Sequence, residues 1–197
     1  GPGDVQWMTA ASGLVHEEFH GREWARRGGR FEMVQLWVNL PARDKAAAPG
    51  YQALLARDIP GVDLPGGPGR ARVIAGELAG ARGPAHTFTP IQVWDLRLAG
   101  GPVELPIPDG YTTALAVLRG SVRVGGPKTI REAEVAVFER EGAVVRIEEA
   151  NDATVLLLAG QPIGEPIVGQ GPFVMNRPEE IYEAVRDHQT GRMGHLS

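Results

Sequence analysis

An all-β fold of the sandwich or jelly-roll type is what this sequence predicts, and three observations predict it. Short runs rich in β-branched and aromatic residues, among them residues 93–98 and 144–148, recur between turn signals. Glycine and proline are plentiful, at 27 and 16 residues, and they punctuate those runs instead of forming one biased block. Only the stretch at about 177–190 combines a helical period with start and stop signals.

Composition narrows the class further. The 197 residues are 43% hydrophobic and 22% charged, near the globular average, which excludes a disordered chain and allows one or two domains with a real core. Cysteine is absent, so there is no disulfide framework, zinc-thiolate site or cysteine nucleophile. No apolar run approaches membrane-spanning length and no leader pattern is visible, so no membrane and a cytoplasmic location are expected. The formal net charge of −4 speaks against direct nucleic-acid contact. Arg22, Arg26, Arg27 and Arg30 do gather among the glycines of residues 21–30, and are read as a solvated loop. The nucleophile elbow, the phosphate-binding loop and the dinucleotide fingerprint are all missing.

Taken in order, residues 5–9 and 16–20 read as successive strands. Residues 31–40 read as a third, with Val34, Leu36, Val38 and Leu40 on one face and Gln35, Trp37 and Asn39 on the other. The Pro- and Ala-rich residues 41–50 form a linker, 51–57 a helical turn before Pro60, and 61–69 a surface loop. Strands follow at 72–75 and at 93–98, where Trp94, Leu96 and Leu98 face inward. Another spans 112–118, which is apolar on both faces. A turn at Arg119-Gly120 leads to 121–124, and strands at 134–138, 144–148 and 154–159 complete the set. In the helix, Asn176 is the expected N-cap, Pro178 occupies the first turn, and Glu179 and Glu180 suit the positive end of the dipole. Ile181, Val185 and His188 form its packing stripe, Gly191 ends it, and His195 lies in a tail expected to fray.

The chemistry is concentrated in Leu14-Val15-His16-Glu17-Glu18-Phe19-His20. On a strand, His16, Glu18 and His20 share one face and Glu17 takes the other. Two histidines and one carboxylate with open positions form the ligand set of non-haem iron oxygenases; a polar rim strand with solvated charges is the alternative. His16, Glu18 and His20 stand in line, about 6.6 to 6.8 Å apart at each step, so all three can hardly wrap one ion. Farther along, His86 and His188 have no second ligand at metal spacing, so the rest of the chain is read as metal-free. His188 reads as a structural histidine on the helix.

The same stretch, preceded by Gly3-Asp4-Val5-Gln6-Trp7-Met8-Thr9-Ala10, resembles the second metal motif of the pirin family, which are two-barrel cupins. The resemblance continues through residues 35–41, Tyr51-Gln52, Asp58-Ile59-Pro60, Gly120-Ser121-Val122 and Leu157-Leu158-Ala159-Gly160. It ends at Glu165-Pro166 and residues 171–176. It implies a partial first cupin barrel with linker at 1–48 and a complete second, jelly-roll barrel at 49–197, with the helix at its C-terminal end. It also implies one non-haem Fe(II) per full-length parent, held by three His and one Glu in the first barrel. Two of those four map here, to His16 and Glu18; the family's upstream His-x-His pair has no counterpart before His16. On the resemblance, this chain looks like a pirin without most of the N-terminal half of its first barrel, with weak or absent iron and no activity of its own. Some relatives act as quercetin 2,3-dioxygenases, which implies a small aromatic, flavonol-like substrate opened with O₂. Others look like redox-dependent transcriptional cofactors, which implies a protein partner.

Overall fold

A computed structural model describes residues 1–64 and 68–196; the middle of the loop expected at 61–69 falls outside them. In chain order the strands are β1 (Val5–Thr9), β2 (Gly50–Leu54), β3 (Gly61–Asp63), β4 (Gly69–Ala75), β5 (Glu77–Leu78), β6 (Ala81–Arg82) and β7 (Ile91–Leu98). They continue as β8 (Val103–Pro106), β9 (Thr112–Val124), β10 (Lys128–Arg131), β11 (Val135–Val137), β12 (Val144–Gly160), β13 (Val168–Gln170) and β14 (Phe173–Met175). The helices are α1 (Arg22–Arg27) and α2 (Pro178–Gln189), with single 3-10 turns at Ala42–Asp44 and Ala56–Asp58. The all-β class therefore holds, with α2 at the expected place. These elements form two compact units, each discontinuous in sequence: Gly1–Trp7 with Tyr51–Pro162, and Met8–Gly50 with Ile163–Ser197. The domains expected at 1–48 and 49–197 are continuous stretches of chain, whereas each of these units joins two separate stretches.

The first unit is built on one antiparallel sheet in the order β10-β9-β12-β7-β4-β3, with β11 also on β9 and β8 on β12. Its register explains its core. Val73 faces Trp94, Trp94 faces Leu157, and Leu157 faces Leu115, so four strands contribute one row of fully buried side chains. A second row, Ala71, Leu96, Val155 and Val117, runs beside it. The inward positions expected for Trp94, Leu96 and Leu98 are thus observed. On the sheet's other face Leu54, Ile59, Ile74, Val93 and Leu156 form a separate cluster, against which Val5 and Trp7 pack. That second layer is why residues 112–118 read as apolar on both sides.

The turn expected at Arg119-Gly120 is a bulge inside a long strand. Residues 112–124 are one strand, as are 144–160, and the register of the β9/β12 pair shifts between Asn151 and Thr154. Gly120, at φ +68°, lies opposite this shift, where a Cβ would sit 2.3 Å from the Asn151 carbonyl oxygen. Gly120 therefore lets the strands bend together instead of reversing the chain. The helical turn expected at 51–57 divides into β2 and the Ala56–Asp58 turn.

In the second unit, residues 16–20 and 31–40 are not strands. Alternation alone does not make a strand; the backbone needs a ladder partner, and these segments have none among the described residues. Residues 21–30 are not simply a loop either: α1 forms within them, closed by the Gly28 N–H donating to the Trp24 carbonyl at 2.7 Å, with Gly28 at φ +70°. Strands β13 and β14 make a hairpin, Val168 facing Met175, beside α2.

Asn176 is not the cap of α2; Arg177 is. The Asn176 side-chain amide donates instead to the Pro166 carbonyl at 2.9 Å and to Glu165 Oε2 at 3.1 Å. Glu180 does the capping, accepting the Asn176 and Arg177 N–H groups at 3.0 Å each. The Asn176 N–H first, and then the Arg177 side chain and N–H, hold the Glu180 carboxyl below its usual range. A carboxylate lowered on folding stabilises above its unfolded pKa and loses that contribution as pH falls through the folded value. Glu180→Gln is therefore expected to destabilise α2 at neutral pH and to match the wild type at acidic pH below both values. Amide exchange in α2, followed from neutral pH down into the acid range, checks this. A constant gap over that range would refute it.

The packing stripe of α2 also differs slightly. Ile181 and Ala184 are the buried residues, while His188 is exposed and meets the Phe173 ring edge-on at 6.5 Å. The segment after α2 is tied back to it: Arg192 N–H donates to the Asp187 carbonyl at 2.9 Å, its Nη1 meets Asp187 Oδ1 at 2.8 Å, and Gly194 N–H donates to the Gly191 carbonyl at 3.1 Å.

Candidate metal centre

The predicted pair does come together. His16 Nδ1 lies 4.0 Å from Glu18 Oε1, with the side chains 43% and 49% exposed. That separation is too long for a hydrogen bond. Two donors at about 2.1 Å from one ion can be no more than about 4.2 Å apart, so the pair can share a metal as it stands. The segment is irregular, yet the two-residue spacing still brings both groups to one side.

His20 does not join them. Its ring packs against Trp24 and Phe31, each at 4.8 Å between centroids, and Trp24 and Phe31 meet at 5.6 Å. Apolar packing of the imidazole edge, in a segment with no ladder to direct it, has turned this side chain to the aromatic group. Among the described residues no set of three or more His, Cys, Asp or Glu is grouped to hold a metal. His16 and Glu18 thus fit an iron site in donor type and spacing, as part of a ligand set and not the whole of one. His86 is engaged through its backbone, in a reciprocal pair with the Gln52 side chain at 2.8 and 3.2 Å.

The neighbouring framework was not read from the sequence. Lys45 Nζ donates to Asn39 Oδ1 at 2.7 Å and to the Val174 carbonyl at 2.8 Å, tying residues 39–45 to β14. Burial pushes this ammonium down, and Glu165 and Glu180 partly offset that. Glu165 Oε2 accepts the Ala42 N–H at 2.6 Å. A lysine and a glutamate so far apart in sequence give no local signal of pairing. The loop bearing His16 is held by Ser12 N–H on the Ala47 carbonyl at 3.1 Å and Val15 N–H on the Met193 carbonyl at 3.2 Å.

Comparison with known proteins bears on this arrangement. The Pirin C-terminal cupin domain matches residues 93–194, and the family profile named Pirin matches residues 1–38. A Pseudomonas aeruginosa protein named "Putative quercetin 2,3-dioxygenase PA2418" is 51% identical over 98% of this chain and 67% of its own length. The chain belongs to the pirin family. A pirin-like protein of Caulobacter vibrioides is 43% identical over 98% of this chain and 68% of its own length. The crystal structure of a quercetin 2,3-dioxygenase from Acinetobacter baumannii matches 99% of this chain and 68% of that one, with 48% identity and a TM-score of 0.94. The chain therefore spans about two thirds of the length of these pirin relatives, and its fold is the cupin fold that the resemblance implied. No helix among the described residues is long and apolar enough to cross a membrane.

Proposed function

We propose that this pirin chain contributes His16 and Glu18 to a mononuclear non-haem iron site of the quercetin 2,3-dioxygenase type, acting on a small flavonol-like substrate. The 4.0 Å approach of His16 to Glu18 is the observation that carries the reading, and the names of the relatives at 51% and 48% identity support the substrate class. His16 brings a neutral nitrogen donor and Glu18 an anionic oxygen, the mixed set suited to ferrous iron. Ferrous iron, when bound, supplies a Lewis-acidic centre with open positions. Glu18 would offset part of its charge, and both side chains are half-exposed.

The test is metal binding and turnover. The 197-residue chain, loaded with ferrous iron, is expected to hold less than one equivalent by mass spectrometry and to leave flavonol absorbance unchanged in air. Joining it to a relative's upstream segment that carries a His-x-His pair is expected to give stoichiometric iron and turnover. His16→Ala or Glu18→Ala should then lower iron affinity about 100-fold or more, since even outer partners of ligands are worth 10- to 100-fold. Full iron and turnover that survive His16→Ala would overturn the reading.

One observation favours a second reading, a cofactor that binds a protein partner. Phe31, Met33, Val34, Leu36, Trp37 and Val38 are all exposed, at 38 to 66%, within one short segment.

A further inference from the structure

The residues just ahead of His16 are held by the segment that follows α2. Val15 N–H donates to the Met193 carbonyl at 3.2 Å. Gly13 lies so close to the Met193 side chain that a Cβ would stand 2.5 Å from Cγ and 2.6 Å from Sδ. Gly13 also has φ +111°, so its backbone path and its closeness to Met193 both call for glycine. The Met193 segment is itself fixed to α2, by the Arg192 bonds to Asp187 and by the turn that closes at Gly194.

We propose that residues 191–194, through Met193, position the His16–Glu18 pair; the inference rests on that pair being metal ligands. The physical reason is the scarcity of other restraints. Residues 10–20 have no ladder, so their path depends on a few bonds: Gly13 N–H to the Ala10 carbonyl at 2.8 Å, Ser12 to Ala47, and Val15 to Met193. Val15 adjoins His16, and its N–H bond fixes the Leu14–Val15 peptide, one residue ahead of the Cα that carries the imidazole. Donors 4.0 Å apart are already near the widest span one ion permits, so a small swing of His16 breaks the shared position. Met193 thus acts through Gly13 and Val15, as a positioning residue and not a ligand.

Three variants of the full chain separate the parts: Met193→Leu keeps the volume, Met193→Ala removes the packing but leaves the carbonyl, and deletion of residues 191–197 removes both. In metal-free protein, exchange of the Val15 amide should accelerate about tenfold in the deletion, less in Met193→Ala and hardly at all in Met193→Leu. Exchange at Leu96 and Val155 in the large sheet serves as the folding control. Cobalt(II), titrated while its paramagnetic broadening of the His16 imidazole is followed, should bind about tenfold more weakly to the deletion, with the same order among variants. Met193→Ala decides the matter if the deletion fails to fold. Unchanged Val15 exchange, or faster exchange with unchanged cobalt affinity at His16, would overturn the positioning role. Absence of cobalt broadening at His16 even when the chain is joined to the upstream His-x-His segment would instead sink the metal reading, and the inference with it.

Discussion

Trp94→Ala is expected to lower the free energy of unfolding by about 3–5 kcal/mol, the range for removing a large buried aromatic side chain. Trp94 is fully buried between Val73 and Leu157, and the row continues to Leu115. The cavity would open inside a four-strand stack whose backbones are locked by ladder bonds, so it cannot collapse to fill the gap. Trp94→Phe should cost much less, about 1.5 kcal/mol or below. Its indole N–H finds no partner among the described residues, so its removal loses no hydrogen bond within them. Urea unfolding followed by circular dichroism measures both. A Trp94→Ala loss under about 1 kcal/mol would show that the row does not govern the core.

Gly120→Val should destabilise by about 2–4 kcal/mol, from a left-handed backbone with a β-branched side chain plus an unavoidable clash. The atoms in the way are main-chain oxygens, Asn151 at 2.3 Å and Asp152 at 2.5 Å from the position of a Cβ, and neither can rotate aside. Gly126 is the control: its φ is +87°, but nothing lies within 4 Å. Gly126→Val should therefore show the backbone cost alone. If the two variants lose equal stability by the same urea assay, the bulge contact is not limiting.

How far the molecule could be read from its residues depended on the range of each contact. The rows through Trp94 and Leu96 were legible because alternation within a strand is local. The same alternation misled at residues 31–40, where Val34, Leu36 and Val38 do alternate with Trp37 but no neighbouring strand pairs with them among the described residues. Asn151-Asp152 carries a turn signature, and the structure uses it for a bulge, with Asp152 at φ +42°. Asn176 has cap chemistry that Glu165 and Pro166 claim first. The approach of His16 to Glu18 was legible because side chains two residues apart on an extended segment fall on one side. Met193 was not, since nothing near it in sequence marks its contact with Gly13 and Val15. The aromatic pull on His20 was also missed, although Trp24 and Phe31 flank it at helical and loop distance.

The interleaving of the two compact units imposes an order on events at the ribosome. Residues 8–50 are made well before the elements they pack with, β13, β14, α2 and the Met193 segment. All of residues 51–162 must be translated in between, a delay of roughly ten seconds at bacterial elongation rates. Throughout that interval Val15 lacks its Met193 partner and Lys45 lacks the Val174 carbonyl, while every strand of the large sheet is made within it. Val15 therefore reaches its final setting only once residues 191–194 have been made, so the backbone just ahead of His16 is fixed long after its own translation.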